Sequence, residues 1–395
     1  MRLSTVKLPR LGLGLILSLA VATPALACLW DYDTLNMERA RFPGAFELIT
    51  GKFARHSPEY YRWRVEDRKQ RLATHPDDLT LYDDLAVAYD KLGQHKLAIK
   101  TILEKEAKQS GLYETYANLG TFHIHAGNLE EGLQFIDQAI EINPDAHFGR
   151  EIYQRLVVQY VIAQRQDGKT ILPLDQSGRD FQARGFAKFV LSQQLSSDQL
   201  ADREAMLSEL ASATKGVMGM MRFGNHASPV LLECLADLLI ADHESDNKRL
   251  AARAYLQASR QVEDESARQA YRGLASRHLQ MQTMGPKTTK ELSLETLDAT
   301  LADEQQAAND WYRQVQQAEA GWIEEGADVD AEFKKRFLDN PVDENTTTSS
   351  VTSILESTMS SPLGFALIVL AGLMVPAMIF VVGGWYVLKS VRHSA

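Results

Sequence analysis

The sequence predicts an all-α protein: a solenoid of stacked helical hairpins followed by one C-terminal transmembrane helix. Three observations lead there. Apolar residues recur at helical spacing, as at Leu81, Leu85, Ala88 and Leu92. A pattern that starts at Tyr82 returns at Tyr116, 34 residues later. Residues 362–388, "PLGFALIVLAGLMVPAMIFVVGGWYVL", hold no charged side chain. No stretch alternates with period two for long enough to suggest a sheet.

Residues 1–27 read as a signal peptide. Arg2, Lys7 and Arg10 precede the apolar "LGLGLILSLAVA", and Ala25 and Ala27 give the small-x-small cleavage pattern. Cleavage there makes Cys28 the first mature residue, read as a free cysteine, with lipid modification as the alternative that Ala25, standing where a lipoprotein signal carries Leu, fits less well; Cys28 with Cys234 makes no disulfide framework. Residues 28–56 form an N-terminal segment. Its "CLWDYDTL" interleaves Trp30 and Tyr32 with Asp31 and Asp33, which predicts docking onto the array. Residues 57–76 open the helical part, with Ser57 as N-cap, Pro58 at the first helical position and Glu59 just inside.

The repeats span residues 57–166. Tyr82 and Tyr116, Leu85 and Leu119, Ala86 and Gly120, Tyr89 and His123 correspond at one offset. Gly93 and Gly127, Ala98 and Gly132, Ile102 and Ile136 continue the correspondence, and Pro144 closes the second unit. Gly93 and Gly127 stand where a helix must stop and turn. Small residues at 86/120 and 98/132 allow two helices to cross closely. Over residues 76–146 this resembles the tetratricopeptide repeat, a 34-residue helix–turn–helix. One such hairpin cannot bury its own apolar face, so neighbours must stack on it.

A third unit follows: Tyr153, Leu156, Val157 and Tyr160 match at an offset of 37, which implies three inserted residues near "DAHF". Residues 167–195 form a loop and a displaced repeat helix, the helix falling in 179–195. Residues 196–338 read as degenerate repeats and capping helices, with an antiparallel pair in 230–259. Trp311, Tyr312, Trp322 and Phe333 are expected to pack against one another or on the last face of the array. A polar linker spans 339–361, the transmembrane helix 362–388 and a tail 389–395. Trp385 and Tyr386 fit the membrane interface. Lys389, Arg392 and His393 follow the span while Asp343, Glu344 and Glu356 precede it. The positive-inside rule then gives a single-pass type I protein with a cytoplasmic C-terminus and its bulk extracytoplasmic, the bacterial periplasm being the expected compartment.

Charge narrows the partners. The chain carries −10, and −13 without the three leader cations, so nucleic acid is not expected as a partner. The resemblance implies a concave groove that binds a protein or peptide through the first helix of each unit. The groove positions are Asp83, Val87, Asp90, Ala117, Thr121 and His125. Some members of the family hold a terminal carboxylate there with a lysine and asparagines. Asp83, Val87, Ala117 and Thr121 do not reproduce that clamp, and Asp83, Asp90 and Glu114 favour a basic or neutral partner.

No catalytic residues, metal ligands or cofactor are expected. His123 takes the packing place of Tyr89 and Tyr160. His125, two residues on, points elsewhere on a helix, toward the groove, so the two do not form a ligand pair. "DGKT" has Ala163 where a phosphate loop needs its first glycine, and "HESDN" has Asn247 where a zinc helix needs its second histidine. Met218, Met220 and Met221 read as core filler beside glycines. Asp83–Asp84 and Glu130–Glu131 read as solvated carboxylates. The expected function is a non-catalytic, membrane-tethered adaptor. The rival readings are a metal-dependent or hydrolytic envelope enzyme, and a structural spacer that forms homo-oligomers.

Overall fold

A computed structural model of the chain describes residues 31, 42–175, 185–242, 245–280 and 293–339. The signal peptide, Cys28, Trp30 and Tyr32, most of the polar linker, segment 362–388 and the tail lie outside these. Among the described residues no helix is long and apolar enough to cross a membrane.

The described residues are helical and contain no β-strand; an isolated bridge joins Gln166 and Lys169 across a turn. In chain order come α1 (Ala45–Thr50), α2 (Pro58–Thr74), α3 (Leu79–Lys91), α4 (His95–Lys108), α5 (Tyr113–His125), α6 (Leu129–Ile142) and α7 (Arg150–Ala163). Then follow α8 (Gly185–Gln194), α9 (Ser197–Leu200), α10 (Arg203–Met220), α11 (Pro229–Ala241), α12 (Ser245–Arg260), α13 (Glu265–Gln280), α14 (Leu294–Glu325) and α15 (Val329–Phe333). Helices adjacent in the chain pack as hairpins from α2 to α7 and again from α10 to α13.

The local chemistry explains the boundaries. Ser57 Oγ accepts from the Tyr60 amide at 3.1 Å and caps α2, with Pro58 first in the helix. α3 and α5 each end on a glycine with positive φ, Gly93 at 73° and Gly127 at 87°. Behind each, the chain folds back onto the last turn: Gln94 N donates to Tyr89 O and Asn128 N to His123 O, both at 2.9 Å. Tyr82 donates its hydroxyl to Pro76 O at 3.0 Å, and Tyr116 to Glu106 at 3.0 Å, so both first-turn tyrosines tie down a neighbouring turn.

Inside the second hairpin the backbones nearly touch. A methyl group on Gly132 would stand 2.9 Å from Gly120 O and 2.6 Å from Ile124 Cγ1. A methyl on Gly120 would meet Ile136 Cδ1 at 2.6 Å. A backbone oxygen cannot step aside as a side-chain tip can. Gly132→Val is therefore expected to destabilise the fold by about 1–3 kcal/mol, measured by urea unfolding; an unchanged midpoint would show that α5 and α6 can part freely.

The third unit departs from the pattern. Residues 146–149 form a 3₁₀ turn and Gly149, at φ 70°, starts α7. The segment expected to supply the second helix contributes α8, which packs on α11, α10 and α7. Along α7 runs α10, and two glycines permit it: a methyl on Gly216 would overlap the Tyr153 ring at 2.6 Å, one on Gly219 the Arg150 chain at 2.9 Å. Met220 and Met221 are buried beside them.

Helix α14 then closes the array. Leu297, Leu301, Ala308 and Val315 are its buried apolar residues, spaced by four or seven along one stripe. Its 32 residues reach about 48 Å, enough to touch both ends of the array. Near its start Arg253 of α12 grips Glu304 with two bonds of 3.0 and 2.9 Å, and Arg272 of α13 meets Asp298 at 2.6 Å. Near its end Tyr312 donates to His56 O at 2.9 Å, and buried Glu319 accepts from His56 Nδ1 at 2.6 Å and Ser57 N at 2.9 Å. An open solenoid touches only nearest neighbours; here the last long helix returns to the first.

Candidate functional site

The groove positions are not free surface. Asp83, Val87, Asp90, Ala117, Thr121 and His125 are all buried, and most have partners inside the array. Asp83 bonds Lys105 Nζ at 2.6 Å and Asn118 Nδ2 at 3.2 Å. Thr121 Oγ1 accepts from Gln154 at 3.1 Å, and Asp90 Oδ2 lies 2.7 Å from His125 Nδ1. Ala117 packs with Tyr113 and Ala139. The bonds to Asn118, His125 and Gln154 join one unit's first helix to the next unit's, and Lys105 and Ala139 close the same unit, so the expected groove lining is an internal polar ladder. Two expectations need correction. Asp83 and Asp90 are engaged internally and cannot set the charge of a partner, and His125 does not reach one.

Asp83 and Asp84 also fail to form a solvated face. Asp84 is buried between Arg64 Nη2 and Arg68 Nε, each at 2.8 Å. Arg64 reaches Asp31 at 3.0 Å and Arg68 reaches Asp330 at 2.7 Å, so one network ties the N-terminal segment to α2, α3 and α15. Glu130 and Glu131 are exposed. His123 is buried and stacked on Phe135 with centroids 5.3 Å apart, its Nδ1 3.1 Å from Glu131; burial lowers its pKa.

A carboxylate pair that sequence reading missed sits on α11. Glu233 and Asp237 lie one turn apart and are both buried. Glu233 accepts from Leu174 N, Asp175 N and Tyr271 Oη at 2.9, 3.0 and 2.7 Å; Asp237 accepts from Phe186 N at 2.9 Å and Tyr255 Oη at 2.6 Å. Burial pushes both carboxyls up. Each oxygen holds a donor, which makes the pair a clasp for the two ends of the inserted loop. Its signal in sequence was a pair of acids spaced by four in the apolar run "VLLECLADLLIA".

Space remains beside α3. A cavity of about 220 Å³ is lined by Val87 and Lys91 of α3, by His56, Pro58 and Tyr61, and by Phe53, Arg55 and Tyr312. Asp31, His226 and the turn Met221–Gly224 complete it. The turn itself occupies the groove: Lys91 Nζ donates to Phe223 O and, at 3.1 Å, to Gly224 O. Arg55 lies 3.8 Å over the Tyr312 ring, and Arg222 stacks against Phe42 and Phe223.

Three cations thus face one acid, Asp31, which is already bonded to Arg64. Burial lowers the pKa of Lys91 to about 8, partly offset by Asp90 and Asp31. Burial, with Arg55 and Lys91 adding to it, drives His226 to about 3, so the imidazole is neutral near pH 7. The lining thus holds more basic than acidic side chains although the chain is acidic. Such a lining can pair with a carboxylate, with Tyr61, Phe53 and Tyr312 offering apolar contact around it.

A family model for the tetratricopeptide repeat matches residues 113–146, which are α5, α6 and the turn behind them. Among curated proteins, none matches the chain. A repeat of this kind suggests a protein-interaction scaffold, and such domains are typically non-catalytic.

Proposed function

We propose that the protein is a non-catalytic, membrane-tethered scaffold on the extracytoplasmic side, which holds an acidic segment of a partner protein in the cavity beside Lys91. The observation that supports it most is the convergence of Arg55, Lys91 and Arg222 with aromatic rings at the inner face of a helical-repeat array. The tether rests on the charge-free run 362–388 and the basic residues that follow it, the exported side on the leader-like residues 1–27.

The test uses the full chain in detergent and fluorescent peptides of equal length, acidic, basic or neutral. Acidic peptides should bind, and Lys91→Gln combined with Arg222→Gln should weaken them by about 10-fold or more, as loss of charge-assisted bonds requires. Equal binding of all three, or binding untouched by the double substitution, would sink the reading. Alkaline extraction tests the tether, which should hold the intact chain in membranes and release one that stops at residue 361.

A second reading draws on the turn Met221–Asn225, by which the chain fills part of its own groove. It makes the array a structural spacer that associates with itself. Light scattering from the detergent-solubilised chain separates the two, since a scaffold for a foreign partner should be monomeric alone.

A further inference from the structure

We propose that Asp90, His95 and His125 form a binding site for one divalent cation of the zinc type, at the junction of the first two repeats. The three come from three helix ends: Asp90 from the last turn of α3, His95 from the first residue of α4, His125 from the last residue of α5. Their ligand atoms all lie within 4.8 Å of one another. His95 Nδ1 stands 2.7 Å from Asp90 Oδ1, and His125 Nδ1 stands 2.7 Å from Asp90 Oδ2. The two rings lie 5.7 Å apart, inclined at 62°.

Two imidazoles and a carboxylate are the donors that zinc prefers, and three protein ligands leave a fourth position for water. A tetrahedral ion about 2.1 Å from each ligand sets neighbouring ligand atoms about 3.4 Å apart. The ligand atoms, none more than 4.8 Å from another, would shift relative to one another by up to about 1.4 Å as the cation replaces the bridging protons. Asp90 and His125 are buried, with 2% and 5% of their side chains exposed, while His95 keeps 28%, which provides an entry path and a wet fourth position. The turn at Gly93 fixes the step from Asp90 to His95, and packing of α5 on α3 brings in His125. Repeat stacking therefore preorganises the site, and a bound cation would lock the first two units together.

The experiment takes the untagged full chain in detergent, stripped with EDTA, at pH 7.5. Calorimetric titration with Zn²⁺ should show one tight equivalent, and Co²⁺ should give the visible absorption of a four-coordinate ion. Zn²⁺ should raise the melting temperature of the wild type. His95→Gln, at a half-exposed helix start, should lose at least the about 10- to 100-fold in affinity that even outer-shell changes cause, and the melting shift with it. His95→Cys should restore binding, and exposed His75→Gln should keep it. Wild-type protein without a saturable equivalent overturns the proposal, whatever the variants do. So does a His95→Gln chain that binds Zn²⁺ as the wild type does.

Discussion

Glu319→Ala should lower the unfolding free energy by about 3–5 kcal/mol, the loss found when one partner of a buried, hydrogen-bonded pair is removed. The carboxylate is fully buried and is met by His56 Nδ1 and the Ser57 amide. Alanine would leave both donors inside without an acceptor. The His56 ring, stacked 3.7 Å from Tyr60 and 3.8 Å from Phe333, cannot turn out to water without breaking that stack. Glu319→Gln keeps one acceptor and should lose roughly half as much. Urea unfolding followed by circular dichroism gives the size of the loss. Hydrogen exchange should show the end of α14 opening first. A loss below about 1 kcal/mol would mean that the end of α14 is held by its apolar stripe alone.

Asp84→Ala should produce a loss of similar size with a distinct pH signature. Burial raises the Asp84 carboxyl, yet Arg64 and Arg68 pull it the other way, so the group lies below the ordinary carboxylate range; Asp330 behaves likewise. A depressed folded pKa stabilises above the unfolded value near 4 and stops doing so as pH falls through the folded value. Wild-type melting temperature should thus fall below pH 4 as the network protonates. Asp84→Ala should start about 3–5 kcal/mol lower at pH 7 and lose less on acidification. Parallel pH profiles for the two proteins would remove Asp84 from the acid response.

What the sequence made legible was whatever one repeat decides within itself. Gly93 and Gly127 mark helix ends because only a residue free to take positive φ turns the chain there. Gly120 and Gly132 mark a crossing because a Cβ has no room. That Asp83, Val87 and Asp90 are buried, where a groove lining was expected, was not legible, and neither was what covers them. Lys91 meets carbonyls 132 and 133 residues away, and Arg68 meets Asp330 262 residues away, and no local pattern encodes such distances. His95 carries no signal in its own neighbourhood, because its ring partner His125 lies in the next repeat. The telling spacing was between units: Asp90 to His125 and Asp83 to Asn118 are both separated by 35 residues, one repeat and one more.

The return of α14 to α2 also decides how the molecule would bear tension. A pull applied at Leu338 would enter through α15 and the end of α14, whose nearest bolts are Asp330 on Arg68 and Glu319 on Ser57. Force would pass to α2 across that short bridge and would leave the hairpins between α3 and α13 unloaded. A spring made of stacked repeats stretches; an array whose last long helix is tied back to its first long one resists until that tie breaks.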